Sequence, residues 1–260
     1  MSKVKVVAVI PARMASSRFP GKPLIEVEGL PMIEHVRRRA LLCRGFSKVV
    51  VATCDREILQ VVERFGGEAL MTSSKHPAAT DRVAEAARRI DCTHVVNVQG
   101  DEILVLPSDL EQFVRALETQ PEIPVWNAVA RIEQAQELAD RSIVKCVVSQ
   151  SGRILFCARD FSRFPLMPES FFEPARKLLG VLGYRRDFLD RYGSLPRTPF
   201  ETAESLDQSR ILEQDIPLQS VSFVRGYLGV NEPREAQEAR RCLETDPNQQ
   251  SVLKEILAGV

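Results

Sequence analysis

The stretch VVAVIPARMASSRFPGKPLIEV at residues 6–27 joins an apolar run to a loop that carries three positive charges. The apolar run, at residues 4–10, is rich in valine, which is typical of a strand buried on both faces of a parallel sheet. The loop that follows holds Arg13, Arg18 and Lys22 among small residues and Gly21. A strand that ends in a cluster of positive charge indicates a site for an anionic ligand at that edge of the sheet.

Similar apolar runs alternate with amphipathic stretches through the first half of the chain. The next three strands are predicted at residues 47–53, 68–72 and 93–99. The intervening helices are predicted to begin with Pro31 in the first turn, and with Asp55 and Thr80 as N-caps. This alternation predicts an α/β fold with a Rossmann-like, doubly wound and mainly parallel sheet.

The second half of the chain is less regular. Strands are predicted at residues 125–132, 144–149, 153–158 and 220–230, with the middle two forming a hairpin. A polar, proline-rich stretch at residues 160–176 is predicted to be a loop, and the end of the chain is predicted to be helical. Because 260 residues suit one large domain, residues 1–260 are expected to form a single domain that contains a smaller subregion.

Composition and charge exclude several classes of protein. Basic and acidic residues are equal in number, 35 of each, which argues against a broad surface for nucleic acid. No apolar run is long enough to span a membrane, and the first residues lack a signal-peptide pattern. The six cysteines include no CxxC pair, as expected for reduced and mostly buried thiols. We therefore expect a cytoplasmic protein that binds neither nucleic acid nor membrane.

Polar residues follow the predicted strands at the edge where open parallel sheets bind ligands. The third strand is followed by Ser74, His76, Thr80 and Arg82, and the fourth by Gln99, Gly100, Asp101 and Glu102. Basic side chains and loop amides suit a polyphosphate, and an adjacent aspartate suits Mg²⁺. The chain has neither a GxGxxG motif after the first strand nor a GxxxxGK[ST] motif. The pattern therefore predicts a nucleotide-phosphate site of another kind.

The motifs at these strand ends resemble those of the 3-deoxy-manno-octulosonate (Kdo) cytidylyltransferases. PARMASSRFPGKPL at residues 11–24 is similar to the signature PARxxSxRxPGKPL of enzymes that make CMP-activated acid sugars. MTSSKHPAATDR and NVQGDE, in this order, resemble the Kdo enzymes more than the sialic acid activators. The resemblance continues through LGVLGYR, TPFETAESLDQSRIL and GVNEP to about residue 243. It implies a homodimer, with sugar-binding and dimerisation functions at about residues 140–225.

The resemblance also implies which residues bind the nucleotide, here CTP. Three catalytic residues are implied, namely Arg13, Lys22 and Asp101. Nucleotide contacts are implied for Ala12, Arg13, Ser17, Arg18, Lys22, Ser74, Thr80, Arg82 and Gln99. Asp101 and Asn231 are the implied ligands of the cofactor Mg²⁺. Arg18 has an alternative role as the partner of an acid at the base of the loop, and His76 is expected to form hydrogen bonds within its loop rather than to catalyse.

For the acid sugar, the resemblance implies contacts from Gln99, Arg159, Tyr184, Glu201, Glu204 and Gln208. Arg159 would pair with the carboxylate of the sugar. Glu201 and Glu204 are three residues apart and would share a helix face. A surface or dimer-interface role is the alternative for all of these except Gln99 and Tyr184.

The implied reaction is attack of the anomeric hydroxyl of the sugar on the α-phosphorus of CTP, with release of pyrophosphate for lipopolysaccharide synthesis. The Kdo enzymes usually have His, Tyr and Asp where this chain has Leu178, Leu182 and Asn231, and they have Gly-Thr-Glu in place of residues 79–81. These departures favour a modified sugar, 8-amino-3,8-dideoxy-Kdo, over Kdo itself. A sialic-acid-type synthetase and a CTP-binding protein without catalysis are the alternatives.

Overall fold

The computed structural model describes residues 4–16, 18–162, 175–227 and 229–259. Within these ranges most strands join one nine-stranded sheet, and β2 and β3 form a separate pair. In chain order the strands are β1 (Val6–Ala12), β2 (Glu26–Val27), β3 (Leu30–Pro31), β4 (Lys48–Thr53), β5 (Ala69–Met71), β6 (His94–Val98), β7 (Val125–Arg131), β8 (Lys145–Val148), β9 (Ile154–Ala158), β10 (Ala175–Arg185) and β11 (Leu218–Ser222).

Helices connect most of these strands. They are α1 (Met32–Leu42), α2 (Arg56–Arg64), α3 (Ala79–Ala87), α4 (Pro107–Thr119), α5 (Arg186–Tyr192), α6 (Pro199–Glu204), α7 (Asp207–Glu213), α8 (Pro233–Thr245) and α9 (Pro247–Ala258). Short 3₁₀ turns occur at Lys22–Leu24 and Ala135–Leu138. Of the helices in the described ranges, none has both the length and the apolar character needed to cross a bilayer.

The large sheet is mainly parallel, as predicted. Its strand order is β11-β7-β10-β6-β1-β4-β5, and along this path only β10 runs antiparallel to its neighbours. The predicted hairpin is confirmed, since β8 and β9 pair antiparallel and β8 pairs with the start of β10. The carboxyl ends of the parallel strands β1 and β6 therefore lie side by side at one edge.

Alternate residues of β1 enter two separate cores, which explains why the strand has a continuous apolar sequence. Ala8 and Ile10 pack on one face with residues of α1, α2, α4 and α8. Val7 and Val9 pack on the other face with residues of α3, α5 and α7. A strand covered on both faces by helices has no face in contact with water, so every position can be apolar. The α/β, doubly wound prediction is thus confirmed.

The predicted start of α2 is confirmed, whereas the predicted starts of α1 and α3 were wrong. Pro31 precedes α1 rather than lying in its first turn. Asp55 is at the N-cap position of α2, but its carboxylate accepts a hydrogen bond from the amide of Met14 at 2.8 Å and does not cap the helix. Thr80 lies inside α3, and its hydroxyl donates to Asp207 at 2.7 Å. At Asp55 a tertiary contact holds the side chain that would otherwise cap α2, whereas α3 begins before Thr80, with Ala78 at its N-cap position.

The second half of the chain differs from the prediction in two strands. The strand predicted at residues 220–230 ends at Ser222, after which the chain turns toward β6. The long central strand β10 was not predicted, because two glycines and residues buried on both faces disguise its periodicity. Most of the loop predicted at residues 160–176 lies outside the described residues.

Candidate active site

Two adjoining cavities open at the carboxyl ends of β1 and β6. The smaller has a volume of about 270 Å³ and lies between the first loop and the turn Gln99–Asp101. The larger, of about 500 Å³, extends past the middle of β10 to α6 and α7. Arg13, Arg18, Gln99, Asp101 and Asn231 line both cavities. The two spaces therefore meet where the basic loop faces the acidic turn.

The first loop is held by contacts with its own backbone and with Asp55. Besides the Met14 amide bond to Asp55, the amide of Gly21 donates to the carbonyl of Met14 at 3.1 Å. Gly21 has a φ of +74°, in the left-handed region that glycine adopts without strain. The chain then enters the 3₁₀ turn that begins at Lys22. The turn thus directs Lys22 toward the cavity that it lines.

An ion pair joins the basic and acidic sides of the smaller cavity. Lys22 Nζ donates to Asp101 Oδ2 at 2.7 Å, and the two side chains are only 13% and 16% exposed. A Cβ on Gly100 would lie 2.8 Å from the carbonyl oxygen of Pro11, so glycine is what allows this turn to approach β1 so closely. A partly buried pair of this kind is electrostatically strong, so a ligand of either sign must compete with the pair for Lys22 or Asp101.

A second segment, residues 229–231, lies against the acidic turn. The amide of Val230 donates to the carbonyl of Asp101 at 3.0 Å. Arg18 Nη2 donates to Asn231 Oδ1 at 3.1 Å, and Arg18 Nη1 is 3.9 Å from Glu232. Arg18 therefore lines both cavities, and its acidic neighbour Glu232 comes from the N-cap position of α8 and not from the base of the first loop.

Glu102 is buried behind the acidic turn. Its Oε1 accepts the amide of Gly180 at 2.8 Å. Burial and the neighbouring Asp101 carboxylate raise the pKa of Glu102 to about 8. Its carboxyl lines the larger cavity together with Gly180.

The predicted nucleotide contacts divide between the cavities. The smaller cavity brings together eight of the predicted site residues: Ala12, Arg13, Arg18, Lys22, Arg82, Gln99, Asp101 and Asn231. Arg82 is held by Thr72, with Nη1 2.5 Å from Oγ1. Thr80 lines the larger cavity instead. Ser74 is exposed and lines neither cavity, and Ser17 lies outside the described residues. His76 Nε2 is 2.5 Å from Glu85 Oε2 of α3, so its hydrogen bond reaches the following helix and, contrary to the prediction, does not stay within its own loop.

The predicted sugar contacts are only partly brought together. Gln99, Arg159, Glu201 and Gln208 line the larger cavity, whereas Tyr184 and Glu204 line neither cavity. Tyr184 is fully buried, and its hydroxyl lies 3.1 Å from Thr80 Oγ1. This arrangement places Tyr184 behind Thr80 rather than in the cavity, so direct contact with a ligand was wrongly expected.

Glu201 and Glu204 both have structural partners. Glu201 accepts two hydrogen bonds from Arg210, at 2.5 and 2.8 Å, and completes the capping box of α6 with Thr198. Glu204 accepts the amide of Arg159 at 2.9 Å. These contacts stabilise the wall of the cavity, where Arg159 and Arg197 are the lining cations on this side. Arg197 pairs with Glu201 at 3.3 Å.

Sequence reasoning missed the residue that supports the floor of the larger cavity. Asn127 is fully buried in β7, and its amide group contacts the backbone of β10 and the side chain of Gln208. The available signal was a lone asparagine within the apolar run VWNAVARI. A buried amide in a strand must find hydrogen-bonding partners, so this position deserved a functional interpretation.

The smaller cavity holds the two predicted Mg²⁺ ligands, Asp101 and Asn231. No group of three His, Cys, Asp or Glu side chains in the described ranges is arranged to hold a metal ion. Asp101 offers a carboxylate and Asn231 an amide oxygen to the same cavity. Mg²⁺ is commonly held by one or two protein oxygens together with substrate phosphates. The donor set therefore fits a cation that binds together with a nucleotide.

Comparisons with known proteins agree with this geometry. The family model described as Cytidylyltransferase matches residues 7–219. The 3-deoxy-manno-octulosonate cytidylyltransferase of Escherichia coli is 39% identical over 241 residues, which cover 92% of this chain and 96% of that protein. The enzyme of the same name from Syntrophotalea carbinolica is 40% identical over 243 residues, covering 89% and 96%.

Solved structures show the same relationship. The structure of CMP:2-keto-3-deoxy-manno-octonic acid synthetase complexed with CTP matches with a TM-score of 0.86 and 36% identity, covering 93% of this chain and 99% of that one. A glucose-1-phosphate thymidylyltransferase structure from Bacillus anthracis, at 14% identity and a TM-score of 0.65, shares the fold. This chain belongs to the cytidylyltransferase family and, within it, to the 3-deoxy-manno-octulosonate cytidylyltransferases.

Proposed function

We propose that this protein couples CTP to the anomeric hydroxyl of an eight-carbon 2-keto-3-deoxy acid sugar and releases pyrophosphate. The observation that carries the proposal is the pair of adjoining cavities, one basic and one reaching Arg159, which meet at Gln99 and Asp101. Such a pair can hold a triphosphate beside an acidic second substrate. Pyrophosphate release, measured with CTP and a panel of 2-keto acid sugars that includes a sialic acid, tests it.

The residues of the two cavities have distinct roles in this proposal. Arg13, Arg18 and Lys22 bind the triphosphate, and Arg159 pairs with the carboxylate of the sugar. The anomeric oxygen forms a bond to the α-phosphorus while the bond to the β-phosphate oxygen breaks, and the hydroxyl proton leaves to solvent. This transfer depends on positioning and charge neutralisation, which need no covalent nucleophile. Gln99 lies between the two substrates.

Mg²⁺, when bound, would neutralise phosphate charge, and Asp101 and Asn231 are the residues that would hold it. In the structure, Asp101 Oδ2 accepts a hydrogen bond from Lys22, and Asn231 Oδ1 accepts one from Arg18. A triphosphate would draw these cations away and free the two oxygens. We therefore infer that nucleotide and cation bind together. The predicted homodimer and the subregion at about residues 140–225 stay predictions.

Asn231→Asp is expected to tighten the binding of Mg²⁺ about threefold to tenfold, because a carboxylate replaces a neutral amide oxygen beside the cation. Calorimetric titration of Mg²⁺ into the protein with a non-hydrolysable CTP analogue measures this directly. Asn248→Asp, at the start of α9, is the matched control. Unchanged Mg²⁺ affinity would place Asn231 outside the coordination sphere.

For the sugar itself, we propose 8-amino-3,8-dideoxy-Kdo in preference to Kdo. Leu178 and Leu182 line the larger cavity, so the side chains that replace hydrogen-bonding groups of the relatives lie on the sugar side. A site built without those groups binds the corresponding hydroxyls less well. An ammonium group would instead require a carboxylate in the same cavity.

Asp207 is the carboxylate that meets this requirement. It lines the larger cavity and accepts a hydrogen bond from Thr80. Glu201 is already bound to Arg210, and Glu204 lies outside the cavity. The other lining carboxylates also have partners, namely Lys22 for Asp101, the Gly180 amide for Glu102, and the Asn231 and Glu232 amides for Glu235. Burial and the negative charge of Asp81 raise the pKa of Asp207, so an ammonium ligand would relieve an unfavourable charge. This makes Asp207 the proposed partner of the sugar amine.

Asp207→Asn is accordingly expected to lower kcat/KM for the amino sugar about tenfold or more, and kcat/KM for Kdo by about threefold at most. Steady-state pyrophosphate release with each sugar gives both values, and exposed Asp215→Asn is the control. A wild-type protein that prefers Kdo would assign Kdo as the substrate. Equal decreases in kcat/KM for both sugars would show that Asp207 does not contact the amine.

A further inference from the structure

The central strand β10 carries an irregularity beside the larger cavity. Leu178 pairs with Val129 of β7, and Leu182 pairs with Asn127, so β10 advances four residues while β7 advances two. The intervening backbone, residues 179–181, cannot use the regular ladder of hydrogen bonds to β7. Buried backbone groups of this kind need other partners. Leu178, Leu179, Gly180 and Leu182 all line the cavity, so this bulge forms part of its floor.

Side chains from neighbouring strands and loops supply those partners. Asn127 Nδ2 lies 2.9 Å from the carbonyl oxygen of Leu179 and 3.3 Å from that of Val181. Glu102 accepts the amide of Gly180, whose own carbonyl accepts the amide of Gln99 at 2.8 Å. A Cβ on Gly180 would lie within 3.1 Å of both Glu102 and Gln99, so the position requires glycine. The bulge thus joins Asn127 to the turn that holds Gln99.

The carbonyl groups fix the orientation of the Asn127 amide. Its Nδ2 also lies 2.9 Å from the carbonyl oxygen of Ala128, so three acceptors surround one side of the group. Only an N–H group can face them, since an amide oxygen in that place would be repelled. The oxygen of Asn127 must then point the other way, where it accepts Gln208 Nε2 at 2.8 Å.

This chain of contacts also fixes Gln208. Because its Nε2 must donate to Asn127, its Oε1 is directed away from Asn127 and is the acceptor left for a ligand. Gln208 lines the larger cavity, and its Oε1 accepts no hydrogen bond from residues 4–16, 18–162, 175–227 or 229–259. A ligand group that meets Gln208 Oε1 must therefore donate a hydrogen bond, as a sugar hydroxyl or an ammonium does.

We propose that Asn127 is a positioning residue for the acid sugar, holding Gln208 with its oxygen toward the larger cavity so that it accepts a hydrogen bond from the sugar. The inference rests on the proposed function, because the ligand of the larger cavity is the acid sugar. Asn127 touches neither substrate. Its effect reaches the sugar through Gln208, which lines the larger cavity alone, whereas the smaller cavity is linked to Asn127 only indirectly, through the bulge and Gln99.

The test compares four variants for KM and kcat with the acid sugar, for the Kd of CTP and for thermal stability. Asn127→Asp keeps the size of the side chain but loses both N–H donors. Gln208→Met removes the acceptor, and Gln208→Glu keeps an acceptor toward the cavity but cannot donate to Asn127. Val125→Ala, in the same strand and the same core, is the matched control for a purely structural loss.

Asn127→Asp and both Gln208 variants are expected to raise KM for the sugar about tenfold or more, while the Kd of CTP changes by about twofold at most. The double variant Asn127→Asp, Gln208→Met should raise the KM for the sugar by less than the product of the two single effects, because Asn127 acts through Gln208. Val125→Ala should lower the melting temperature without changing either constant.

Equal increases in the sugar KM and the CTP Kd would overturn the inference, as would fully multiplicative effects in the double variant. If Asn127→Asp fails to fold, Gln208→Glu decides, and wild-type sugar kinetics in that variant would overturn the fixed orientation. A different result, wild-type protein that releases no pyrophosphate with any acid sugar, would contradict the proposed function itself.

Discussion

Asp101→Asn is expected to lower kcat about 10³-fold while the protein remains folded. The magnitude is that of losing a charged group placed where charge must be neutralised during transfer. Asp101 is the acidic side chain nearest the basic loop, 2.7 Å from Lys22, and it lines both cavities. Asparagine has the same shape, so the change removes charge and leaves the packing in place.

A binding measurement separates this role from a structural one. Calorimetry with a non-hydrolysable CTP analogue should show that Asp101→Asn abolishes the enhancement of Mg²⁺ binding by nucleotide. Asp190→Asn, a surface variant that loses an ion pair with Arg186 at 3.0 Å, should leave both kcat and Mg²⁺ binding unchanged. If Asp101→Asn retained kcat within about tenfold of wild type, Asp101 would be excluded as a metal ligand, and its pairing with Lys22 would be structural.

The strands that could be predicted from the sequence are those that are buried along nearly their whole length. In β1, β4 and β6 nearly every residue is buried, so the sequences are mostly apolar and the strands were located to within two residues of their bounds. β10 could not be found in this way. Its bulge is stabilised by Asn127 and Glu102, which are 52 or more positions away in sequence. Hydrogen bonds at that separation leave no local pattern.

The candidate site shows the same division. The basic loop and the acidic turn each lie within one short motif, and their meeting followed from their places at the ends of adjacent parallel strands. Tyr184 and Glu201 were harder to assign, since a motif cannot distinguish a side chain that faces a cavity from one that supports it. In the structure Tyr184 is behind Thr80, and Glu201 is bound by Arg210. Those contacts depend on how α3, α6 and α7 pack together.

The ion pair between Lys22 and Asp101 predicts two opposite effects of one substitution. Lys22→Ala is expected to weaken CTP binding and to lower kcat/KM for CTP by roughly 2–4 kcal/mol, about 30- to 1000-fold. The physical reason is the loss of a largely buried positive charge that faces the triphosphate. The same substitution removes the cation that accompanies Asp101 in the described state.

With Asp101 freed, Mg²⁺ should bind to the nucleotide-free Lys22→Ala protein more tightly than to wild type, since no ammonium competes for the carboxylate. Titration of CTP alone and of Mg²⁺ alone measures the two affinities, and Lys5→Ala, which loses a surface pair with Asp91 at 2.8 Å, should change neither. If Lys22 had only a structural role, its removal would weaken the binding of both CTP and Mg²⁺. Only a residue that occupies the metal site until the triphosphate arrives gives changes of opposite sign, so a parallel loss of both affinities would rule out this exchange.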